Sequence, residues 1–226
     1  QTRTELLAGV THELKTPVTS ISGLLQAIKA GIVTGDEADE FLNMALVETT
    51  KMKTLVGDLL AFNSYAVDAI PLKLTSISVN ELVKVNVQQW TAMQENEQLK
   101  INIHYLNLDA IVDIDVVRIQ QIFTNLLNNA KQAMLNEGNI TINIKNENNL
   151  ISIYFIDQGS GISIEDQPYI FERFYRGENK KFSTRGLGLG LPLSKMMAKS
   201  LGGDLVLQKS DETGSTFILS LPESKK

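Results

Sequence analysis

The sequence of 226 residues contains no cysteine and only two histidines, His12 and His104. Without cysteine the chain has no disulfide bond, no thiolate nucleophile and no cysteine-based zinc site. Two histidines are also too few for a histidine-rich metal centre. The composition therefore excludes thiol chemistry and does not favour a metal cluster built from histidine.

Long apolar runs and excess positive charge are also missing. No apolar run reaches the about 18 residues that a membrane-spanning helix requires, and no signal peptide is visible. A net charge of −5 and a pI of about 5.2 do not favour a general nucleic-acid-binding surface. The chain starts at Gln1, without Met, so we expect it to be the C-terminal part of a longer protein. A membrane anchor could then lie only in the missing upstream part.

A predicted helix over residues 2–31 carries the first candidate site. Its apolar residues recur at alternating steps of four and three, which is typical of a helix in a bundle, at Leu14, Val18, Ile21, Leu25 and Ile28. His12 falls outside this stripe and is expected to face outward, with Thr16 one turn later on the same face. Pro17 removes one backbone donor and predicts a kink beside the exposed imidazole. On these residues alone, a solvated surface histidine is the simpler interpretation.

A second predicted helix runs from Asp36 to about residue 65, after a turn that contains Gly31 and Gly35. Its apolar positions are Ala45, Met52, Leu55, Leu59 and Phe62. Two such helices form a hairpin that buries only one stripe, so we expect a second copy of the chain to complete a dimeric four-helix bundle. Residues 66–72, which include Pro71, are predicted to form a linker.

The remainder of the sequence predicts a compact α/β unit. The sequence from Ser78 to Glu81 is a capping box that opens a helix to about residue 95. Apolar patterns predict strands at 100–105, 140–144, 151–155, 204–208 and 215–221, and helices at 116–135 and 189–201. The alternation in the strands indicates a sheet with one buried face. His104 falls in the first of these strands, and we expect a structural role for it.

Two asparagines mark a candidate cation site on the predicted helix at 116–135. Asn125 and Asn129 are four residues apart and lie together on one flank of its apolar face. Their carbonyl oxygens suit a hard cation such as Mg²⁺ and add no charge. A polar flank that binds no ligand is the alternative.

An aspartate at a strand end forms a second candidate site with two glycines. Asp157 comes directly after a predicted strand, where its carboxylate can accept a hydrogen bond from an exocyclic amine. Gly159 and Gly161 would let the backbone approach a flat ligand closely. A simple turn is the alternative, because Asp and Gly are common turn residues.

A third candidate site is the run of alternating glycines Gly186, Gly188 and Gly190, which leads into a helix. Glycine-rich backbone at a helix N-terminus is typical of a phosphate cradle, although no dinucleotide or Walker sequence is present. The preceding residues 168–185 predict a mobile lid with a positive charge and an aromatic base. Its cations and aromatic side chains are Phe171, Arg173, Phe174, Tyr175, Arg176, Lys180, Lys181 and Arg185.

Each motif is weak by itself, but their order and spacing resemble those of the sensor histidine kinases of two-component signalling. The resemblance covers nearly the whole chain. It implies a dimerisation and phosphoacceptor domain at residues 1–65, the linker at 66–72 and a Bergerat-type ATP-binding domain at 73–226. The implied fold is multidomain α and α/β: a helical hairpin forming a dimeric four-helix bundle, then an α/β sandwich whose mixed sheet is backed by helices.

The resemblance also implies roles for individual residues of the phosphoacceptor helix and the lid. His12 matches the phosphorylated histidine, and Glu13 matches the acidic residue that orients it and acts as base. Thr16 matches the residue used to dephosphorylate the partner. Arg176 resembles the lid arginine that reaches the γ-phosphate.

In the implied nucleotide site, Asn129 matches the magnesium ligand and Asn125 its support. Asp157 matches the adenine-binding aspartate, and Thr216 resembles a hydroxyl that supports adenine from the last strands. The two glycine boxes correspond to Gly159, Gly161, Gly186, Gly188 and Gly190. Many relatives carry a lysine and then an aromatic residue at the positions 132–133, where this chain has Gln and Ala. We therefore expect the lid cations to matter more for the phosphates.

The predicted function is ATP-dependent autophosphorylation of His12 with Mg²⁺, followed by transfer to an aspartate in the receiver domain of a response regulator. Phosphatase activity toward that regulator is also expected. The resemblance implies a homodimer through residues 1–65, no nucleic-acid partner, and the cytoplasmic portion of a membrane-anchored bacterial sensor. Two alternatives are a clamp-type ATPase of the same nucleotide-binding fold, as in gyrase, MutL and heat-shock chaperone relatives, and a catalytically silent nucleotide-binding scaffold.

Overall fold

The computed structural model of the chain describes residues 3–66, 71–94, 98–173, 175 and 188–224, and for residues 3–10, 12, 58 and 61–66 it describes only the backbone. The chain divides into two compact units. Unit one comprises Gln1–Ser64 and Arg173–Leu189, and unit two comprises Tyr65–Glu172 and Gly190–Lys226. None of the helices within the described ranges is long and apolar enough to cross a membrane.

Unit one contains a helical hairpin, which confirms the predicted fold of this part of the chain. Helix α1 spans Arg3–Lys29 and helix α2 spans Asp36–Ala66. The turn between them uses two glycines with positive φ, Gly31 at 68° and Gly35 at 59°, a region that side chains with a Cβ rarely adopt. Acidic residues occupy the first turn of α2, where they stabilise the positive end of the helix dipole.

The hairpin buries only part of its apolar surface. Pro17 lies inside α1 and is buried, as are Val33, Ala45 and Leu55. Glu48 is also buried, and its carboxylate pairs with Lys51 at 2.6 Å. Large apolar side chains that stay exposed in the described hairpin are Val18, Leu25, Ile32, Leu42, Met44, Leu46, Val47, Val56 and Leu60. The predicted stripe on α1 is therefore only half covered in a single chain.

Unit two is an α/β sandwich, as predicted. Its elements in chain order are β1 (Leu74–Ser78), α3 (Val79–Ala92), β2 (Leu99–His104), β3 (Ile111–Asp115), α4 (Val116–Ala133), β4 (Gly138–Glu147), β5 (Leu150–Ile156), α5 (Gly190–Ser200), β6 (Asp204–Asp211) and β7 (Gly214–Pro222). The main sheet has the order β2-β4-β5-β7-β6. The β2–β4 pair is parallel and the other pairs are antiparallel, so the sheet is mixed.

The core lies between the main sheet and its helices. Alternate residues of β4, β5 and β7 are buried, while their neighbours are half-exposed, which confirms the predicted sheet with one buried face. From α4, Phe123 packs edge-on against Phe155 of β5, with 5.0 Å between ring centroids. His104 is exposed at the end of β2. The domain boundaries at 65/66 and 72/73 stay a prediction, since residues 67–70 lie outside the described residues.

Strands β1 and β3 were not predicted from the sequence. They pair with each other as a separate antiparallel sheet, with Leu74 opposite Asp115 and Ser78 opposite Ile111. Each strand has only five residues, and each leads directly into a helix. Runs this short carry too few periods to be distinguished from loops, and the paired residues lie 33 to 41 positions apart in the chain.

Side-chain caps fix where two helices begin. Ser78 caps α3 by accepting a hydrogen bond from the backbone N–H of Glu81, as the capping box predicts. Asp115 caps α4, and its carboxylate accepts backbone hydrogen bonds from Lys73, Val117 and Arg118. Burial alone would raise the pKa of Asp115, but these bonds and the Arg118 charge together lower it below its usual value.

Replacing Asp115 by Ala should lower the free energy of unfolding at pH 7 by about 1–2 kcal/mol, because α4 loses its cap. A folded-state pKa below the unfolded value stabilises the protein above about pH 4, and this stabilisation is lost as the pH falls through the folded-state pKa. The difference between Asp115→Ala and wild type should therefore shrink between pH 7 and pH 3. Urea denaturation at both pH values measures it, with exposed Glu165→Ala as control. A pH-independent difference would contradict the electrostatic origin.

Candidate functional site

Asp157 is held at the end of β5 by the backbone of two other segments. Its side chain is 6% exposed. The atom Oδ1 accepts hydrogen bonds from the N–H of Gly159 at 2.9 Å and of Ser215 at 3.1 Å. The N–H of Asp157 donates to the carbonyl oxygen of Ser215 at 3.0 Å. One carboxylate oxygen is thus fixed by the protein, which sets the direction of the other.

The glycines around Asp157 are required by close packing within the protein. A Cβ on Gly159 would lie 2.5 Å from the Cβ of Ala133, at the end of α4. Gly161 has φ +69°, and a Cβ there would lie 1.9 Å from the carbonyl oxygen of Asp211. A Cβ on Gly214 would meet the carbonyl oxygen of Asp157 at 1.9 Å. The loop after β5 is therefore enclosed between α4 and the β6–β7 hairpin, and this packing is a reason for Gly159 and Gly161 that the sequence did not provide.

The two asparagines of α4 have different surroundings. The Nδ2 of Asn125 donates to the carbonyl oxygen of Gly190 at 3.2 Å and to the Oγ of Ser194 at 3.0 Å, so this side chain joins α4 to the first turns of α5. The half-buried carboxamide of Asn129 makes no hydrogen bond within the described part of the chain. Asn129 is therefore available to a ligand, while Asn125 positions α5.

The third candidate motif is only partly described. Gly188 has φ +64°, and Gly190 is the first residue of α5. The N-terminus of this helix presents backbone N–H groups that have no partner inside the helix. Gly186 and Arg176 lie outside the described residues, as does the rest of the segment 176–187, so their predicted roles stay predictions.

The phosphoacceptor candidate lies in unit one. His12 and Thr16 are four residues apart on the single helix α1, so their backbone positions share one face. Thr16 is exposed and Glu13 is half-buried. Only the backbone of His12 is described, and its outward orientation stays a prediction.

Ser215 is a site residue that the sequence did not single out. Thr216 pairs with Ile156 in the sheet, and side chains alternate along a strand. Ser215 and Asp157 therefore share the helix-covered face, whereas Thr216 points to the opposite face. The Ser215 hydroxyl lies 2.8 Å from the hydroxyl of Ser210. The role predicted for Thr216 stays a prediction. The residue that contacts Asp157 is Ser215, through its backbone N–H, and only the strand register reveals this.

Two family models match the chain. The model of the His Kinase A (phospho-acceptor) domain matches residues 2–65. The model of the histidine kinase-, DNA gyrase B- and HSP90-like ATPase matches residues 114–225. The chain belongs to the sensor histidine kinases of two-component signalling. The first model covers α1 and α2, and the second covers the segments that carry Asn129, Asp157 and Gly190.

Curated relatives agree with the family over almost the entire chain. The sensor histidine kinase WalK of Bacillus subtilis (strain 168) is 31% identical over 228 residues, which cover 98% of this chain and 37% of WalK. The sensor-like histidine kinase SenX3 of Mycolicibacterium smegmatis is 30% identical over 224 residues, which cover 98% of this chain and 58% of SenX3. The chain thus spans between about a third and somewhat more than half of the length of these relatives.

Solved structures of histidine kinases share the fold. AdeS of Acinetobacter baumannii has a TM-score of 0.75 at 22% identity and covers 95% of this chain and 98% of its own. ThkA, solved in complex with the response regulator protein TrrA, has a TM-score of 0.75 at 23% identity and covers 97% of this chain and 61% of its own. Both similarities confirm a helical hairpin followed by an α/β domain.

Replacing Asp157 by Asn should weaken ATP binding while the fold survives. The amide oxygen of Asn can still accept the two backbone hydrogen bonds, but its NH₂ group then faces the nucleotide as a donor. A lost charge-assisted hydrogen bond and a mismatched buried donor should cost roughly 2–4 kcal/mol of binding free energy. Isothermal titration calorimetry with ATP measures this, with exposed Asp39→Asn as control. Unchanged affinity would exclude Asp157 from adenine recognition.

Proposed function

We propose that the chain phosphorylates its own His12 with ATP and then passes the phosphoryl group to an aspartate of a response regulator. The observation that carries this proposal is the presence of both parts in one chain. An ATPase-type unit holds a buried, oriented Asp157, and a helix of the phospho-acceptor type carries His12. The only other histidine in the sequence, His104, is exposed at the end of β2 in unit two.

His12 is suited to act as the nucleophile through its Nε2 atom. An unperturbed imidazole has a pKa of about 6.5, so most of it is neutral at pH 7. Glu13 would accept a hydrogen bond from Nδ1–H, which orients the ring and stabilises the positive charge that develops on it. A bond forms between Nε2 and the γ-phosphorus, the bond from that phosphorus to the bridging oxygen breaks, and ADP leaves. Phosphoryl transfer of this kind depends mainly on positioning and charge neutralisation.

The nucleotide would be held by three parts of unit two. The carboxylate of Asp157, oriented by the backbone bonds to its Oδ1, would accept the exocyclic amine of adenine. The Ser215 hydroxyl lies on the same face of the sheet, and the glycines before α5 lead the backbone N–H groups of that helix toward the phosphates. Arg176 is proposed to contact the γ-phosphate from the lid.

Asn129 fits a role as magnesium ligand. Within the described residues no group of three or more acidic or histidine side chains could hold a metal ion alone. Mg²⁺ bound with a nucleotide usually takes one or two protein ligands together with phosphate oxygens and water. The carboxamide of Asn129, which has no intramolecular hydrogen bond in the described chain, matches this requirement. The ion would neutralise charge on the phosphates during the transfer.

The partners follow from the hairpin and from the family. Leu46 and Leu60 of α2 are 64% and 62% exposed, and Val18 and Leu25 of α1 are also exposed. A second copy of residues 1–65 would cover such side chains in a four-helix bundle. ThkA, which shares the fold, was solved with a response regulator. We propose that a receiver domain docks on the face of α1 that carries His12 and Thr16.

Replacing His12 by Gln should abolish labelling from γ-³²P-ATP, because Gln has no nucleophilic ring nitrogen. His104→Gln is the matched control, since it removes the only other histidine, and it should label as wild type does. ATP affinity should be unchanged in both variants. The label should be acid-labile, as a phosphohistidine is.

Each other result of the labelling assay points to a different activity. Label that persists in His12→Gln would contradict the assignment of the acceptor. If the wild-type protein hydrolyses ATP but is not labelled, the clamp-type ATPase is favoured. If it shows no hydrolysis and no label, the silent scaffold is favoured.

Replacing Thr16 by Ala should separate kinase from phosphatase activity. The helix should persist, because Ala is the best helix former. Autophosphorylation should stay within about threefold of wild type, while dephosphorylation of the regulator should fall about tenfold or more, a change of 1.4 kcal/mol or greater in activation free energy. The exposed hydroxyl is proposed to hold a water in line with the phosphoaspartate. Paired assays with the phosphorylated regulator measure both, and equal losses would mean that Thr16 only shapes the helix.

A further inference from the structure

The hydroxyl of Ser210, near the end of β6, joins two segments that surround Asp157. Its Oγ accepts a hydrogen bond at 2.7 Å from the backbone N–H of Ile162, in the loop that follows Asp157. The same atom lies 2.8 Å from the hydroxyl oxygen of Ser215 on β7, and either hydroxyl can be the donor. One side chain therefore attaches the loop to the last strand, and all of these residues belong to unit two.

An irregularity in β6 places Ser210 opposite Ser215. Leu207 is paired with Phe217, and the register then shifts between Leu207 and Lys209, as in a β-bulge. After the shift Ser210 is paired with Ser215, whereas in an unshifted register Lys209 would take that position. Side chains that are directly opposite each other in antiparallel strands share one face of the sheet. The shift therefore brings a hydroxyl, and not a lysine side chain, next to Ser215.

Gln167 attaches the same loop to β6 at a second point. Its Nε2 donates to the carbonyl oxygen of Ile162 at 3.0 Å and to the carbonyl oxygen of Ser210 at 3.1 Å. The N–H of Ile162 is bonded to the Ser210 hydroxyl, so both backbone groups of Ile162 are held by side chains. A Cβ on Gly161 would lie 3.3 Å from the Oγ of Ser210, which shows how closely the loop approaches β6.

These contacts control the two backbone donors of the Asp157 carboxylate. Its Oδ1 accepts one hydrogen bond from Gly159, in the loop, and one from Ser215, on β7. Donors on two different segments converge on one oxygen only while the segments keep a fixed separation. Ser210 bonds to both segments and therefore maintains that separation. A functional side chain keeps its direction when the residues behind it are themselves held by hydrogen bonds.

We propose that Ser210 is a positioning residue of the nucleotide site, whose hydroxyl holds residues 158–162 against β7 and so fixes the direction of the Asp157 carboxylate toward the exocyclic amine of adenine. Gln167 supports the same arrangement from the other side of Ile162. This inference rests on the proposed function, because it takes Asp157 to bind the amine. Neither Ser210 nor Gln167 is among the residues for which the resemblance to histidine kinases implies a role.

The experiment compares two nucleotides that differ only at the amine. Isothermal titration calorimetry with Mg²⁺ measures the affinity for ATP and for purine riboside 5′-triphosphate, which has a hydrogen in place of the exocyclic amine. Wild type should prefer ATP, because Asp157 accepts a hydrogen bond from the amine. Ser210→Ala should bind ATP about fivefold more weakly, which corresponds to about 1 kcal/mol, and should bind the analogue with nearly wild-type affinity.

A second variant and a control complete the comparison. Gln167→Met keeps a side chain of similar length without its donors, and it should reduce the preference for ATP in the same direction. Ser220→Ala is the control, because Ser220 is half-exposed on β7 and the alternation along the strand puts it on the face opposite Ser215. This control should bind both nucleotides as wild type does.

The ratio of the two affinities separates positioning from a purely structural role. In Ser210→Ala the N–H of Ile162 loses its acceptor, so the temperature of unfolding should fall slightly. Unfolded protein lowers the concentration of binding sites for both nucleotides alike, and it therefore leaves the ratio of their affinities unchanged. Only a change in how the site meets the amine alters this ratio.

Three outcomes would overturn the inference. An unchanged preference for ATP in Ser210→Ala would show that the hydroxyl does not position Asp157. An equal loss of affinity for both nucleotides would assign a structural role to Ser210. A wild type that binds both nucleotides equally well would show that there is no amine recognition to position. If Ser210→Ala does not fold, the preference of Gln167→Met decides the matter by the same criteria.

The kinase function succeeds or fails separately, through the labelling of His12. If His12 is labelled and the preference for ATP does not depend on Ser210, the kinase function stands and the positioning role is wrong. If the preference depends on Ser210 but His12 is not labelled, the positioning role stands and the kinase function is wrong.

Discussion

The nucleotide-binding unit depends on the pair of backbone hydrogen bonds that hold the Asp157 carboxylate. A buried carboxylate is strongly disfavoured unless its oxygens are hydrogen-bonded. Here the donors come from Gly159, two residues on, and from Ser215, almost sixty residues later. Charge-assisted bonds of this kind are about twice as strong as neutral ones. Their formation requires the β7 strand to lie beside the end of β5, and it therefore ties the last hairpin of the chain to the site.

This arrangement explains why glycines surround the aspartate. The loop after β5 can reach its position only if no Cβ projects from Gly159 toward α4 or from Gly161 toward Asp211. The N–H of Ser160 then donates to the carbonyl oxygen of Ala133, the last residue of α4. The end of α4 is thus fixed to the loop, and its middle is fixed to α5 through Asn125. Packing within the protein brings the separate site residues to one end of the sheet.

Much of this could be predicted from the sequence, because it depends on local patterns. Alternating apolar residues gave β4 and β5 their buried face, and the capping box at Ser78 located the start of α3. The short strands β1 and β3 could not be predicted, since each is stabilised by a partner far away in the chain. The contact of Ser215 with Asp157 could not be predicted for a similar reason. Moving by one residue along a strand reverses the face of the side chain, and only the pairing with β5 determines which residue faces the site.

The two asparagines of α4 show how equal residue types acquire different roles through their neighbours. Both lie on one flank of the helix, four residues apart, and nothing in their spacing distinguishes them. The N-terminus of α5 uses the amide donors of Asn125 for the carbonyl of Gly190 and the hydroxyl of Ser194. A carboxamide held in this way joins the two helices, and it could turn toward a ligand only by breaking these hydrogen bonds. Asn129 lies one turn further along α4, is half-buried and makes no hydrogen bond within the described part of the chain. The contacts with α5 therefore distinguish the two asparagines, and they are the reason why we propose Asn129 rather than Asn125 as the magnesium ligand.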